Sequence, residues 1–528
     1  MKFGKIVVLL MTAVLMAGAL FVWSKEPGAE DVLRVTLTVP GGTEQIRVRD
    51  FGRGEYALCL PGFGEPDIAQ TDKAVTVTAS QNVPALFVDV RSGSMDHIHQ
   101  EKGNSEAGSL RLYQADGSLD YAGSFDVLEG RGSSTWEREK KPYDLELSAE
   151  ADLLGMGAAK RWVLLANAMD PSQLRNKIVY DFARTLGLPY TPECQWVNLY
   201  LNGEYTGLYL LCERNEIHPQ RVNLTGDACF LVSKEWEWRM EAQKQAYVQL
   251  DSRAALRLRD TNMTPEAVKA VFQSAENAIL AEDGMDPVTG KHWRELIDVD
   301  SWAMKYLIEE VFGNVDGGTL SQYFYYDGGK IYAGPIWDYD LTMGNVVAYP
   351  HPVANMFYVN RERVYATRWY PALYEDPEFF GRMVELYTTR FRPLLAVLVE
   401  TGVDVYGNAI IYAAYADMLR WGSGFPAGEM AYVKEYLIQR MAFLDSIWVR
   451  GEDYATVMVQ LADDTLLRYE VKPGETLPQL PSYESTETWI VHGWHNKVTE
   501  EPFDIAGPIY EDTEIYLKHS TLAEGAQP

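Results

Sequence analysis

Basic residues are scarce in this sequence. Its 528 residues include 47 lysines and arginines against 75 aspartates and glutamates, which gives a formal net charge of −28. Because phosphate polymers and anionic membranes bind basic surfaces, this balance argues against nucleic acid polymers or anionic lipid as main partners. A small nucleotide is still compatible with this charge, since a metal ion and one or two cations can neutralise its phosphates locally.

Cysteine is also rare, with four in the chain: Cys59, Cys194, Cys212 and Cys229. In an exported protein four cysteines could form two disulfides. Asn202-Gly203 predicts a two-residue hairpin turn, whose register places Cys194 opposite Leu211. Cys212 would then point to the other side of the sheet. This register disfavours a Cys194–Cys212 disulfide, and we expect buried free thiols.

An apolar run at residues 6–23 follows Lys2 and Lys5 and is not followed by a cysteine, which excludes a lipoprotein signal. The length of the run lies between that of a long signal peptide and that of a membrane-spanning segment. We therefore expect residues 1–30 to be a signal peptide or a membrane anchor. The remainder of the protein would be extracellular or on the cell surface.

The hydrophobic pattern divides the chain further and predicts an α+β protein. Strand-like runs separated by turns predict a small β domain at residues 31–85. Residues 86–450 combine strands, turns and long helical patterns and form the expected central domain. Residues 451–528 return to strands and turns and predict a second small β module.

The most informative stretch spans residues 301–345. It predicts an amphipathic helix that ends near Gly313, followed by a loop containing Asp316. Two strands joined by a turn at Gly328-Gly329 come next, and the second strand is expected to end at Asp338 and Asp340. With a spacing of two residues, these two acids would share one face of that strand.

Carboxylates on both sides of a hairpin fit the needs of phosphoryl transfer. One aspartate, Asp316, would orient and deprotonate the acceptor hydroxyl, while Asp338 would hold the metal that neutralises the phosphates. The structural alternative is that Asp316 caps a turn and that Asp338 and Asp340 are surface charges. Asp338 and Asp340 lie among bulky apolar residues, which argues against their being surface charges.

A glycine-rich turn at residues 130–136 precedes a predicted strand. Such a turn can present backbone N–H groups to phosphate oxygens, although most are simple turns. Strand alternation places Lys141 with Tyr143 and Leu145 on the apolar face, and Lys140 on the solvent face. A lysine held in that way is suited to a nucleotide site.

Two further charged residues are candidates. Arg175 lies at the edge of the apolar stripe of a predicted helix, where it could either snorkel to solvent or face phosphate. Glu213 continues the aromatic face of a predicted strand. It could serve either in the site or as a structural residue.

Several motifs, taken in order, resemble the CotH family of spore-coat protein kinases. They are GRGSSTW, KKPYDLEL, ADLLGM with KRWVLLAN, LRNKIVYDFARTLGLPYTP, VNLYLNGEYTGLYLL and GPIWDYDLTMGN. The resemblance covers about residues 85–445 and implies a divergent protein-kinase-like fold. It further implies that ATP and a divalent metal, Mg²⁺ or Mn²⁺, serve to phosphorylate serine or threonine hydroxyls of a protein substrate.

The resemblance also implies roles by position. Lys141 matches the nucleotide-binding lysine, Asp316 the catalytic aspartate and Asp338 the metal-binding aspartate. From the local patterns rather than from the resemblance, we also expect Gly132, Ser133, Ser134, Arg175 and Glu213 at the nucleotide, and Asp340 and Gln322 at the metal. Two positions depart from the pattern: Ser133 stands where the family usually has asparagine, and Ser321 stands where ordinary kinases place a metal-binding asparagine.

Two other functions fit parts of the sequence. A catalytically weak cell-surface or adhesion protein could retain the fold, since ATP is scarce outside the cell. A carbohydrate-active enzyme could use an aspartate pair with tryptophans and tyrosines as a sugar platform. The glycine-rich turn, Lys141 and the WDYD sequence together favour the kinase, because neither alternative needs all three.

The C-terminal module resembles the small β repeat of bacterial surface proteins known as the Listeria–Bacteroides repeat. The matching features are a Pro473-Gly474 turn, Gly493-Trp494, and the YEDT sequence before a final strand. The resemblance implies an extracellular spacer or adhesion module that contacts the cell surface and has no catalytic role.

Overall fold

A computed structural model describes most of the chain. The described residues are 32–49, 67–70, 75–78, 83–345, 354–359, 367–463, 466–478, 480–486 and 489–521. The predicted signal or anchor and Cys59 lie outside them. The described residues form a mixed α+β protein, as the hydrophobic pattern predicted.

Strands and helices follow one another along the chain in three groups. The first group is β1 (Val32–Val39), β2 (Gly42–Arg49), β3 (Asp67–Gln70), β4 (Val75–Thr78), β5 (Ala85–Val90), α1 (Asp96–Gln100), β6 (Ser105–Tyr113), β7 (Leu119–Gly130), β8 (Tyr143–Asp152), β9 (Ala158–Leu165), α2 (Arg175–Leu186), β10 (Cys194–Leu201) and β11 (Glu204–Glu213). The second group is β12 (Phe230–Glu235), α3 (Glu237–Ala242), β13 (Tyr247–Gln249), β14 (Ala255–Thr261), α4 (Pro265–Leu280), α5 (Trp293–Leu296), α6 (Val299–Val311), β15 (Gln322–Asp327), β16 (Lys330–Ala333) and β17 (Met356–Phe357). The third group is α7 (Trp369–Glu375), α8 (Pro377–Leu386), α9 (Arg392–Val397), α10 (Val403–Trp421), α11 (Pro426–Trp448), β18 (Ala455–Gln460), β19 (Leu466–Val471), β20 (Trp489–Asn496) and β21 (Thr513–Thr521).

The chain divides into two compact units. The first contains Met1–Ile178, Pro192–Arg214 and Gly402–Ala431, and the second contains Val179–Thr191, Asn215–Thr401 and Tyr432–Pro528. The glycine-rich turn belongs to the first unit and the predicted aspartates belong to the second.

In the first unit, strands close into a ring. Neighbouring strands pair in the order β10, β5, β6, β7, β8, β9 and β11, and β11 pairs again with β10. Closure removes free strand edges and encloses a core of aliphatic and aromatic side chains. In β8, Tyr143, Leu145 and Leu147 point into this core and alternate with less buried residues, as predicted. The sheet continues from β11 through β2, β1 and β4 to β3.

The β10–β11 hairpin corrects the predicted cysteine register. It turns at Asn202-Gly203 as expected, but a bulge between Leu199 and Tyr200 shifts the pairing by one residue, so Cys194 faces Cys212 rather than Leu211. A β-bulge places an extra residue on one strand, which a turn-based register does not anticipate. The expected buried free thiols are confirmed for Cys194, Cys212 and Cys229.

The second unit contains two five-stranded sheets. One has the order β13-β14-β12-β15-β16 and includes the predicted hairpin, which turns at Gly328-Gly329 as expected. Beside it, α6 is buried on every side, including Lys305, Glu309 and Glu310, so the amphipathic prediction is wrong. Its charges looked like a solvent face in the sequence, but they are paired inside the protein.

The other sheet has the order β17-β19-β18-β21-β20, which confirms β structure in the C-terminal region. One of its edges, β17, comes from residues 356–357, far before the C-terminal strands. The long helical patterns predicted in the last part of residues 86–450 are present as α7 to α11, which precede the C-terminal strands. Short π-helical segments lie at Tyr387–Phe391 and Leu398–Gly402. Among the described residues, the run Pro377–Met418 is long and apolar enough to span a membrane by length and composition. Core helices of globular proteins share both properties.

Candidate functional site

The first group of candidate residues lies in the glycine-rich turn, which in the structure extends beyond residues 130–136 to residue 142 and connects the end of β7 to the start of β8. Gly132 has φ of +80°, and an added Cβ there would lie 2.2 Å from Thr135 Oγ1, so the turn requires glycine at this position. Two successive tight turns follow, in which Trp136 N donates to Ser133 O (3.1 Å) and Arg138 N donates to Thr135 O (3.2 Å). Ser133 is half-buried and Ser134 is exposed.

The two lysines in this turn are oriented opposite to the prediction. Lys140 is buried, with 4% of its surface exposed, whereas Lys141 is half-buried. The alternation fails because β8 begins only at Tyr143, so the lysines lie in irregular backbone where the period of two does not apply. Lys141 Nζ instead donates to Trp136 O (2.9 Å) and Arg138 O (3.2 Å), and lies 4.5 Å from the centre of the Trp136 ring.

Lys140 forms a buried ion pair with a distant residue of the same unit. Its Nζ lies 2.6 Å from Asp417 Oδ1, on α10, and donates to Leu208 O at 2.7 Å. Burial lowers the pKa of Lys140 and raises the pKa of Asp417, while each partner's charge opposes the other's shift. Gly207 makes room for the pair, since an added Cβ would lie 2.4 Å from the Asp417 carboxylate. Sequence reasoning missed Asp417, and no local pattern marks it.

Arg175 and Glu213 are also buried. Arg175 has no exposed surface, and its Nη1 lies 2.5 Å from Asp170 Oδ1 and 3.1 Å from Ser172 Oγ. Neither of the predicted orientations, toward solvent or toward phosphate, fits this pairing. Glu213 is 8% exposed, and its Oε2 accepts a hydrogen bond from Glu193 N at 2.8 Å.

The second group of candidate residues lies in the aspartate segment, which comprises residues 314–340. Helix α6 starts at an Asp298 cap, whose Oδ1 accepts from Ser301 N at 2.9 Å, and leads into this segment. Asn314 Oδ1 then accepts from Asp316 N at 3.0 Å, and Asp316 O accepts from Thr319 N and Leu320 N. Asp316 is half-buried within a loop that its own backbone bonds hold in place.

The end of the hairpin corrects the predicted strand. Strand β16 stops at Ala333, because Pro335 has no N–H to continue the ladder, and Trp337–Asp340 is irregular. Asp338 is exposed while Asp340 is buried at 8% exposure, so the two carboxylates do not share a strand face. Asp338 has φ of +69°, a left-handed conformation that aspartate tolerates better than most residues.

Two polar residues at the start of the hairpin, Ser321 and Gln322, are the other candidates in this segment. Ser321, which also has positive φ, donates from Oγ to Asp338 Oδ2 at 3.1 Å. Gln322 is 1% exposed and donates from Nε2 to Leu320 O at 2.9 Å. Its Oε1 has no hydrogen-bond partner in the part of the chain that the structure describes. Across the same residues, no group of three or more histidine, cysteine, aspartate or glutamate side chains is arranged as a metal site.

The buried residues that support the aspartate segment were also missed. Glu309 accepts from Lys305, Asn314 and Tyr339, and all four side chains are almost completely buried. Lys305 and Glu309 are spaced i, i+4, which could have predicted an ion pair between them. An exposed pair on a helix has the same spacing, so the sequence did not indicate that this pair is buried.

Comparison with known proteins agrees with the motif resemblance. No curated protein matches the chain. A family model described as CotH kinase protein matches residues 128–444, more than half of the chain, and that range contains both groups of candidate residues. The chain therefore belongs to the CotH kinase family, a family of kinase-like spore-coat proteins.

Proposed function

We propose that this protein transfers the γ-phosphoryl group of ATP to serine or threonine hydroxyls of a protein substrate, with Mg²⁺ or Mn²⁺. The divergent protein-kinase-like core implied by the motifs is part of this proposal. The observation that carries it is the geometry of Asp338: an exposed carboxylate at positive φ inside an otherwise buried run of residues. A strained residue that presents a charged group in this way is typical of functional sites.

The donor chemistry of the aspartate segment fits a small hard cation. Magnesium is usually held by one or two protein carboxylates together with water and substrate phosphates, so a larger acidic cluster is not required. Asp338 would be the main ligand, with Asp340 and the buried Gln322 Oε1 as further oxygen donors. A divalent ion bound at these oxygens would neutralise the charge that builds up on the phosphates.

Asp316 is the proposed catalytic residue. Its loop is fixed by the hydrogen bond from its own N–H to Asn314 and by the two bonds to its carbonyl, while its side chain is half exposed. A carboxylate held in this way can accept the proton of an incoming hydroxyl and orient its oxygen for attack.

The glycine-rich turn supplies the proposed nucleotide contacts. The proposed cation is the half-buried Lys141, since Arg131 is already paired with Asp144 (Nε to Oδ1, 3.0 Å). With Gly132, Ser133 and Ser134 this lysine suits phosphate oxygens. Arg175 is left out, because Asp170 already neutralises it inside the protein, and Glu213 is kept as a weaker candidate.

We further propose an extracellular or cell-surface location, for which the N-terminal apolar run is the support. That run would be a signal peptide or a membrane anchor. The C-terminal sheet would make the cell-surface contacts.

The test is a transfer assay on the whole protein with labelled ATP, Mg²⁺ or Mn²⁺, and dephosphorylated casein as a generic acceptor. We expect Asp316→Asn to lower the transfer rate by about 10²-fold or more, the usual scale of acid–base assistance, while ATP binding persists. Asp327→Asn, at the turn of the same hairpin, is the matched control and should transfer at the wild-type rate. Absence of transfer by the wild type with both metals would contradict the proposed reaction, and a fully active Asp316→Asn would contradict the role of Asp316.

A further inference from the structure

A single buried carboxylate connects the two aspartate-bearing parts of the second unit. Glu309 Oε1 accepts from Tyr339 OH at 2.6 Å and also pairs with Lys305. Its other oxygen accepts from Asn314 Nδ2. Tyr339 lies between Asp338 and Asp340, and Asn314 holds the N–H of Asp316, so each oxygen of Glu309 serves one of the two parts.

The charge of this carboxylate is balanced inside the protein. Lys305 Nζ also donates to Tyr339 OH at 2.9 Å, which completes a triangle of three buried groups. Burial lowers the pKa of Lys305, while the negative charge of Glu309 opposes that shift. Burial, and then Glu309, raises the pKa of Tyr339 well above its usual range, and Tyr370 of α7 is affected in the same way. Removing one partner would leave the other charge buried and unpaired, which is strongly destabilising. The Lys305–Glu309 pair is therefore expected to stay formed.

The neighbouring residue provides a natural comparison. Glu310 is equally buried, but its carboxylate accepts from Tyr358 N (2.6 Å), Val359 N (2.9 Å) and Arg440 Nη2 (2.6 Å). These partners lie in the segment that contains β17 and in α11, away from the aspartate segment in sequence. Two adjacent glutamates thus have the same burial and charge but different partners, and it is Glu309 that accepts hydrogen bonds from the aspartate segment.

We propose that Glu309 is a positioning residue for catalysis: it fixes the Asp316 loop through Asn314 and the Asp338 segment through Tyr339. This inference rests on the proposed phosphoryl transfer for its catalytic meaning, whereas the structural coupling can be tested without it. The backbone of Asp316 and the residue next to Asp338 are thus both connected to the same buried carboxylate. Small displacements of a reacting group can lower a rate by up to about 10²-fold.

The first test compares Glu309→Gln with Glu310→Gln in the whole protein. We expect Glu309→Gln to lower the kcat of phosphate transfer to casein at least 10-fold, with little change in the KM for ATP. Glu310→Gln should unfold at a lower temperature but keep the wild-type kcat while it is folded. Equal kcat values for the two variants would overturn the positioning role.

The second test is hydrogen–deuterium exchange, which does not depend on activity. We expect Glu309→Gln to speed exchange about 10-fold or more in peptides covering residues 314–321 and 336–343. Glu310→Gln should instead speed exchange at residues 354–359. This pattern together with an inactive wild type would sink the proposed reaction but keep the structural coupling, whereas unchanged exchange at both aspartate peptides would overturn the coupling.

Asn314→Asp serves if Glu309→Gln does not fold. It keeps the acceptor for Asp316 N but places a second carboxylate against Glu309, which raises the pKa of the pair. Below that raised pKa, the protonated carboxyl can donate to Glu309 again and restore the bond. We therefore expect the ratio of the variant's kcat to the wild-type kcat to rise as the pH is lowered. A ratio that does not change with pH would contradict the Asn314 connection, because loss of fold alone predicts no recovery in acid.

Discussion

The glycine-rich turn and the aspartate segment each divide a pair of like charges between the interior and the surface. Lys140 is buried and Lys141 is half exposed, while Asp340 is buried and Asp338 is exposed. The two regions differ in whether their buried polar atoms have hydrogen-bond partners. Lys140 already has Asp417 and Leu208 O as partners, whereas the buried Gln322 Oε1 has none among the described residues. The buried lysine of the turn thus has its partners inside the protein, whereas one buried side-chain oxygen of the aspartate segment has none in the described part of the chain.

The largest expected effect concerns the buried lysine. Lys140→Met leaves Asp417 buried without its ion-pair partner, which should lower the free energy of unfolding by about 3–5 kcal/mol. Lys141→Met should lower it less, by about 1 kcal/mol, because Lys141 is half exposed and loses only its bonds to two turn carbonyls and its contact with Trp136. Urea denaturation of both variants measures the difference. Adding Asp417→Asn to Lys140→Met should recover part of the loss, and equal losses from the two single variants would remove the contrast between the lysines.

The second prediction concerns the aspartates. Asp338→Asn should abolish metal-dependent ATP binding and lower transfer by about 10²-fold or more, because the charge that holds the cation is lost. Asp340→Asn should have an intermediate effect if its buried carboxylate is a second ligand. Calorimetric titration of ATP with and without Mg²⁺ separates these outcomes. An Asp338→Asn variant that binds ATP and metal like the wild type would rule out the ligand assignment.

The smallest effect is expected at Lys141. Its Nζ is held by two carbonyls of the turn, from which it could turn to a phosphate. Lys141→Met should weaken ATP binding by about 10-fold, the scale of one hydrogen bond to a charged group. The matched surface control is Arg138→Met. If Arg138→Met weakens binding as much as Lys141→Met, the contribution is the general positive charge of the turn and not a specific lysine.

Strand periodicity predicted side-chain orientation correctly for residues that lie inside a strand. Tyr143, Leu145 and Leu147 point inward in β8, because successive residues of an extended strand face opposite sides. The same rule failed at Lys140 and Lys141, which precede the strand, and at Asp338 and Asp340, which follow Pro335 after the strand has ended. Alternation is a property of the strand, and the errors arise where the strand boundaries were misplaced.

Other features depend on contacts that a linear pattern does not contain. The Lys140–Asp417 pair joins residues far apart in the sequence, and no motif around Asp417 marks it. The bulge between Leu199 and Tyr200 is not marked by the turn sequence, and it places Cys194 opposite Cys212. Helix α6 was predicted in position, but its full burial depends on the elements that surround it. Turn residues, by contrast, predicted from local sequence the glycine-rich turn, the hairpin and the loop that contains Asp316.

The two-residue strand β17 determines where this chain could be divided. It pairs with β19, and Phe357 packs near Trp448 of α11, with ring centres 6.2 Å apart. A chain shortened at Gly451 would lose β18 to β21 and leave Met356 and Phe357, now buried, without their sheet. The family match ends at residue 444, yet a strand inside that match is completed by residues beyond it. The segment that the family model matches is thus shorter than the set of residues that completes this sheet, and an exchange of the C-terminal strands between proteins would have to preserve the pairing of β17 with β19.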